Sequence, residues 1–140
     1  MAEFIEKQVV PVRLAHDHQP LAAEMGIKWT PSILILDAGG KEHHRTVGFL
    51  GPDDLKASVL LGVAKEHFDA DRFPEALAAL ETLIDAYPDS SLRPEAIFLQ
   101  GVSRYKSTHS PQPLKAAYEQ LSQRYPDSEW TRRAYPYRLL

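Results

Sequence analysis

A short apolar run at residues 33–36 is the clearest strand signal in the chain. The run is β-branched and bounded by turn-forming residues, which is typical of a buried β-strand. Pro31 stands just before it, at one of the few strand positions that tolerate a residue without an amide hydrogen. Residues 37–40 predict a tight turn and residues 41–47 a returning strand. The pattern therefore predicts a β-hairpin.

The chain before this hairpin mixes helix and strand signals. Residues 1–8 predict the last turns of a helix, and residues 20–25 predict a short helix closed by Gly26. Residues 9–14 predict a strand, which Pro11 would place at an edge of the sheet. The predicted order up to residue 47 is therefore helix, strand, helix, strand, strand.

Helical spacing takes over after residue 51. Pro52, Asp53 and Asp54 are typical of a helix N-terminus, because proline fits the first turn and acids interact favourably with the helix dipole. The helix predicted over residues 52–68 carries two adjacent apolar faces, which indicates burial on two sides. One face holds Leu55, Val59 and Val63, and the other holds Leu60, Leu61, Ala64 and Phe68.

Four more helices follow, and they contain an internal repeat. The predicted helices start near Pro74, Pro94 and Pro113, and a short one carries Trp130. Residues 87–90 read Tyr-Pro-Asp-Ser, and the same tetrapeptide recurs 38 positions later at residues 125–128. A period of this size with a helix pair in each unit indicates an α-solenoid.

Residues 1–68 resemble the second half of the thioredoxin fold. The resemblance rests on Thr30-Pro31 before the hairpin, on the glycine turn and on Gly48 after it. It implies a cis Thr30–Pro31 peptide bond and a sheet of about three strands. It also implies that the central strand and a redox cysteine lie upstream of Met1. A missing central strand exposes strand edges. A compact three-stranded sheet is favoured here, and pairing with a second chain or a small irregular sheet are the alternatives.

Residues 52–140 resemble tetratricopeptide repeats. The matching positions are Leu61-Gly62, Phe68, Phe73, Glu75-Ala76, Leu80, Leu83 and Pro88 in the first unit, and Leu99-Gln100-Gly101, Tyr105, Ala117, Leu121 and Pro126 in the second. The two glycines are expected to let neighbouring helices approach closely.

The two resemblances share the helix at residues 52–68. The expected architecture is α/β: a partial thioredoxin-like sheet at residues 1–68, fused through that helix to a helical repeat array at residues 52–140. The whole is similar to a bacterial group of thioredoxin-like proteins with a C-terminal helical-repeat extension.

Composition narrows the possible functions. The 140 residues contain no cysteine, which removes disulfides, thiolate nucleophiles and cysteine metal sites. The net charge of −3 argues against a general nucleic-acid binder. No stretch approaches a membrane span or a signal pattern, so a cytoplasmic protein without cofactors is the default expectation. Paired acids fall at helix starts, where they act as caps, and no catalytic constellation is visible.

Trp29, Thr30 and Pro31 form the first candidate peptide-binding site. The resemblance implies that the residue before the cis-proline, Thr30, offers backbone hydrogen bonds to an extended peptide. The favoured alternative is that Trp29 packs against the gap left by the missing strand, since an indole buries a large area.

A stripe on the predicted third repeat helix forms the second candidate site. Glu95, Phe98, Val102 and Tyr105 occupy positions that face the groove in helical repeats. Core packing is the preferred interpretation for Phe98 and Val102.

The histidines are the remaining candidates. His16-Asp17-His18 is interpreted as a surface loop, with metal binding as the weaker alternative. His43 and His44 are neighbours on a strand, so they point to opposite faces and are interpreted as an exposed pair.

These features predict a non-catalytic protein-interaction module with a protein or peptide partner, and self-association through exposed strand edges is considered too. The alternative is a fragment of a thioredoxin-family thiol-disulfide oxidoreductase.

Overall fold

The computed structural model describes residues 1–140 and is mostly helical, with one antiparallel hairpin before a stack of helices. In chain order the elements are α1 (Ala2–Gln8), α2 (Leu21–Glu24), β1 (Ser32–Leu36), β2 (Glu42–Val47), α3 (Pro52–Asp69), α4 (Phe73–Ala86), α5 (Arg93–Thr108), α6 (Gln112–Arg124), α7 (Glu129–Ala134) and a C-terminal 3₁₀ helix (Tyr135–Leu139).

The predicted hairpin is present. Ser32 pairs with Val47 and Ile35 with His44, and the register shifts after Ile35. Asp37 shapes the turn, since its Oδ1 atom accepts hydrogen bonds from the backbone N–H groups of Gly39 (2.8 Å) and Lys41 (3.0 Å). Such a local carboxylate–backbone bond is the usual reason why aspartate begins a turn.

The sheet has two strands, so the prediction of about three was wrong. Residues 9–14 do not form the predicted strand, and Val10 to Leu14 make no backbone–backbone hydrogen bond. Residues with strand-forming composition become a strand only when they pair with another strand, and this segment pairs with none. Pro11 also lacks the backbone N–H that pairing would use. The architecture is therefore a mostly helical chain that includes a hairpin, rather than an α/β sheet domain.

Helix α3 is one unbroken rod at the centre of the molecule. It contacts α1, both hairpin strands and α4. Its buried side chains lie around the helix rather than along one stripe, and they include Ala57, Val59, Leu60, Leu61 and Ala64. The two apolar faces predicted from the sequence therefore both find partners.

The two glycines on the repeat helices make different close contacts. A Cβ atom on Gly62 would overlap the Ile35 side chain and come within 3.1 Å of the His44 Cβ atom. Gly62 therefore allows the hairpin to approach α3 closely, whereas the sequence predicted the close approach of a helix. A Cβ on Gly101 would lie 2.6 Å from the Ala117 Cβ atom, so Gly101 does allow α5 and α6 to approach closely.

The recurring tetrapeptide builds the same turn twice. At residues 87–90 the Ser90 N–H donates to the Tyr87 carbonyl (3.1 Å), and Ser128 donates to Tyr125 in the same way (3.0 Å). Each serine Oγ also accepts from the backbone N–H two residues later, at 3.2 Å in both turns. Repeated sequence thus gives a repeated turn, although the next helix starts directly after Ser128 in α7 and three residues after Ser90 in α5.

Stacking of α3 to α7 buries one continuous apolar core. Its side chains include Leu60, Leu80, Leu83, Ile97 and Leu121. Arg93 ties the stack at its edge, since it donates to the Ile84 carbonyl (3.0 Å) and to the Tyr125 hydroxyl (3.0 Å). None of the helices is both long and apolar enough to cross a membrane.

Candidate interaction surfaces

The loop Trp29-Thr30-Pro31 leads directly into β1. The Thr30–Pro31 peptide bond is cis, as predicted. Two hydrogen bonds hold the loop: the Gly48 N–H donates to the Pro31 carbonyl (2.8 Å), and the Ser32 hydroxyl donates to the Trp29 carbonyl (2.6 Å).

The Trp29 side chain is 71% exposed, so the interpretation that it packs into a gap was wrong. No element lies against the indole to receive it, because the sheet ends at β1. Trp29 lines one side of a cleft of about 200 Å³ together with His16, Ile27, Lys28 and Thr30.

Further apolar side chains are exposed at the same end of the hairpin. Phe49 is 86% exposed and Val47 is 53% exposed. The sequence reasoning did not select Phe49, although an aromatic residue directly after the strand-ending Gly48 was a readable signal. Clustered exposed apolar residues mark interaction sites more often than scattered ones do.

The predicted stripe on α5 lies between α3 and α7. Glu95 forms an ion pair with Lys65 of α3 (2.6 Å), and both side chains are largely buried. The Phe98 ring lies 5.3 Å from the Trp130 ring of α7 and 6.0 Å from Tyr137 of the 3₁₀ helix, between ring centroids. Half of the stripe is therefore used in contacts within the chain.

The other half of the stripe is more open. Val102 is partly buried and Tyr105 is exposed at 37%. Contacts within the chain therefore hold Glu95 and Phe98 in place, while Tyr105 is the most exposed residue of the stripe.

A polar network connects the hairpin to the array through His44. Burial, reinforced by the nearby Lys65 ammonium, lowers the pKa of His44 to about 4. The ring is therefore neutral near pH 7. Lys65 lies 3.3 Å from Nδ1 and can only donate, so Nε2 carries the proton and donates to the Ser58 hydroxyl (3.1 Å). Ser58 also bonds Thr46 (2.9 Å), and Lys65 extends the network to Glu95.

His43 points to the other face and is held by two carboxylates. Its Nε2 lies 3.0 Å from Asp37 Oδ2, and its Nδ1 lies 2.7 Å from Asp69 Oδ2 at the end of α3. The hydrogen bond to Asp37, aided by Asp69, raises the pKa of His43 above its ordinary value. The same bond lowers the pKa of Asp37.

The opposite orientation of His43 and His44 was predicted correctly, but their exposure was not. The His43 side chain is only 3% exposed, and His44 is half-buried. Both histidines attach the hairpin to α3, one by charge and one by a neutral hydrogen-bond network. Except for Asp37, which lies six residues before His43, their partners on α3 lie 14 to 26 residues away and leave no local signal in the sequence.

The loop histidines are not assembled into a site. His16 and His18 are exposed, and nowhere are three His, Asp or Glu side chains grouped so that they could hold a metal ion.

Comparison with known proteins supports the array. The family described as tetratricopeptide repeat matches residues 57–90, which span most of α3, all of α4 and the first recurring turn. No curated protein and no solved structure matches the chain. Residues 57–90 therefore form a tetratricopeptide-type repeat within a helical array. Nothing in these comparisons supports a thioredoxin-like fold.

Proposed function

We propose that this chain is a non-catalytic protein-interaction module whose helical array binds a protein or peptide partner. The match of residues 57–90 to the tetratricopeptide repeat carries this proposal. Stacked helix pairs of this kind present an extended surface formed by successive helices. The proposed partners are proteins or peptides, and they include a second copy of this chain.

The α5 stripe is the proposed binding surface on the array. Glu95 and Phe98 are engaged by Lys65, Trp130 and Tyr137, so within this stripe a partner is expected to contact mainly Val102 and Tyr105. Tyr105 supplies a rigid aromatic anchor of the type enriched at binding hot spots.

Trp29, Thr30 and Pro31 form the second proposed binding surface. The exposed indole and the nearby Phe49 ring offer a large apolar area beside the cleft that Trp29 lines. This surface lies on the hairpin and the loop before it, so it can be tested separately from α5.

Selection of binding peptides from a random library tests the proposal with a defined probe. Peptides enriched on the wild-type chain are titrated against Tyr105→Ala, and Tyr135→Ala serves as the matched control. Tyr135 is also an exposed tyrosine but lies outside the stripe. Loss of a hot-spot side chain is expected to weaken binding about tenfold or more, while the control stays close to wild type.

Trp29→Ala separates the two surfaces. Peptides that bind the hairpin surface lose affinity with Trp29→Ala but not with Tyr105→Ala. Failure to enrich any peptide, or equal losses in Tyr105→Ala and Tyr135→Ala, would contradict a binding site on the stripe.

The oxidoreductase alternative rests on the resemblance of residues 1–68 to the thioredoxin fold. It requires a cysteine, and these 140 residues contain none. No insulin reduction is therefore expected of the pure chain, and measurable reduction would contradict this expectation.

A further inference from the structure

The hairpin leaves one backbone edge of β1 without partners. The bond from the Gly48 N–H to the Pro31 carbonyl makes residues 31 and 48 a hydrogen-bonded pair. Hydrogen-bonded and non-hydrogen-bonded pairs alternate along an antiparallel ladder. The backbone groups of Ser32 and Leu34 therefore point away from β2, and no other backbone or side-chain group bonds to them.

Nothing in β1 protects this edge. Natural edge strands usually carry charges, internal prolines or covering elements that prevent pairing with another chain. The strand Ser32–Leu36 reads Ser-Ile-Leu-Ile-Leu and contains no charged residue.

The same chain contains an unpaired segment with strand composition. Residues 10–14 read Val-Pro-Val-Arg-Leu and make no backbone hydrogen bonds. Val10 is 89% exposed, Val12 is 77% exposed and Leu14 is 45% exposed. In an extended conformation these three side chains share one face, and Pro11 and Arg13 lie on the other.

Pro11 decides which side of this segment can pair. Successive N–H groups of a strand point to opposite edges, so Val10, Val12 and Leu14 donate to one side while Pro11 and Arg13 face the other. The side that includes Pro11 lacks a donor. The side with three complete donors is the one suited to an open strand edge.

We propose that two copies of this chain associate by strand addition, with residues 10–14 of one copy pairing along the free edge of β1 in the other. Each copy supplies both an edge and a segment, so the exchange is reciprocal and closes into a two-fold dimer. The side chains of Val10, Val12 and Leu14 then lie together on one face of the enlarged sheet.

Exposed aromatic side chains near the start of β1 would add apolar area to such a dimer. A specific interface buries about 1,200–2,000 Å² in total. Trp29 and Phe49 lie at the end of the hairpin where β1 starts, and an aromatic side chain buries about 150–250 Å². In a reciprocal dimer both strand pairs lie close to these exposed rings, two from each copy.

Proline substitution tests the pairing at single-amide resolution. Val12→Pro removes an N–H that faces the partner, whereas Arg13→Pro removes one that faces away. Both residues are exposed and make no hydrogen bond, so both variants are expected to fold like the wild type, which circular dichroism checks. Sedimentation equilibrium from micromolar to millimolar concentration measures the association.

The wild-type chain is expected to form a concentration-dependent dimer. Val12→Pro removes one hydrogen bond from each of the two strand pairs and weakens the dimer about tenfold or more. Arg13→Pro keeps the wild-type dissociation constant within a factor of about two, since no paired donor is lost. A strictly monomeric wild-type chain overturns the proposal and leaves the β1 edge to a different chain.

Amide hydrogen exchange gives an independent measurement. Exchange at Val10, Val12, Ser32 and Leu34 is expected to slow as the chain concentration rises, while Arg13 stays fast. A dimer whose exchange at these amides is unchanged, or one that both proline variants weaken equally, overturns strand addition as its cause.

Discussion

The first fifty residues and the helical array bury their apolar side chains to very different extents. Among the buried hydrophobic side chains, Ile35 alone precedes α3. Seven of the eleven large hydrophobic side chains that stay exposed, Trp29 and Phe49 among them, lie in the first fifty residues. Secondary structure forms in both regions, so local propensity is not what separates them.

The difference lies in the number of packing partners. Each helix from α3 to α6 is packed against at least two other elements of the chain. The hairpin packs mainly on α3, through Gly62, Ile35 and the two histidines, and Arg45 adds a hydrogen bond to the Met25 carbonyl. A face without a neighbour cannot leave water, and its backbone edge remains available for another chain. The helical array is therefore expected to contribute most of the stability, and the hairpin region most of the exposed apolar surface.

A substitution that creates a cavity in the helical array is expected to cause the largest loss of stability. Leu83→Ala removes a side chain with no solvent exposure and lowers the free energy of unfolding by about 3–4 kcal/mol. Urea unfolding followed by circular dichroism measures this. Val12→Ala in the exposed segment serves as control and changes stability by less than about 0.5 kcal/mol. Similar losses in both variants would remove the contrast between the regions.

A larger side chain at Gly62 tests the packing between the hairpin and the helical array. Gly62→Ala places a methyl group against Ile35 and costs about 2–3 kcal/mol, with faster amide exchange concentrated in β1 and β2. Gly101→Ala is the matched variant inside the array, where exchange should instead rise in α5 and α6. Uniform loss of protection in both cases would show that the hairpin has no separate local stability.

The buried imidazole of His44 is expected to make the protein less stable in acid. Because the folded pKa of His44 is about 4, against an ordinary value of 6.5, the unfolded chain binds a proton that the folded chain does not. The free energy of unfolding therefore falls as pH drops from about 6.5 to about 4, by about 2 kcal/mol for a partly exposed ring. His44→Gln is expected to flatten this part of the pH profile.

His43→Gln is the matched control for that measurement. Since the folded pKa of His43 is raised, its contribution is complete below the ordinary value of 6.5 and is lost as pH rises through the folded pKa. Its replacement therefore lowers stability in acid more than in base. Parallel pH profiles for both variants would contradict the opposite environments of the two rings.

Removing the Arg93 contacts at the edge of the array is expected to cause a smaller loss of stability. Arg93→Ala leaves the Ile84 carbonyl and the Tyr125 hydroxyl without their donor and costs about 1–2 kcal/mol. Arg104→Ala, which only breaks an exposed pair with Glu81, should cost less than about 0.5 kcal/mol. Thermal unfolding of both variants measures the difference.

The smallest stability effect is expected at Phe49. Phe49→Ser removes a ring that is 86% exposed, so the free energy of unfolding changes by less than about 0.5 kcal/mol. The same substitution at Phe98 removes a ring packed on Trp130 and Tyr137 and costs about 3 kcal/mol or more. Comparable losses at the two positions would mean that Phe49 is packed in solution.

Local signals accounted for most of the fold. Proline at helix starts, glycine in the hairpin turn and apolar periodicity located the seven α-helices and both strands to within a few residues, but not the C-terminal 3₁₀ helix. The strand predicted at residues 9–14 failed because a strand also needs a neighbour, which composition does not report. Gly62 was assigned to a helix contact for the same reason, since its partner Ile35 lies 27 residues earlier in the chain.

The candidate sites depended more strongly on long-range contacts. The α5 stripe was found from helical spacing, but its cover by Tyr137 depends on how the chain folds back at its C-terminal end. The environment of His43 requires Asp37 and Asp69 to meet across the hairpin and α3, and no local pattern shows this.

The twin turns at Tyr87 and Tyr125 make the length of the stack adjustable. Both turns follow the end of a helix and contain the same serine hydrogen bonds, so a copied block of 38 residues would begin and end at matching turn geometry. Each added repeat would lengthen the helical array by one helix pair and leave the existing contacts unchanged.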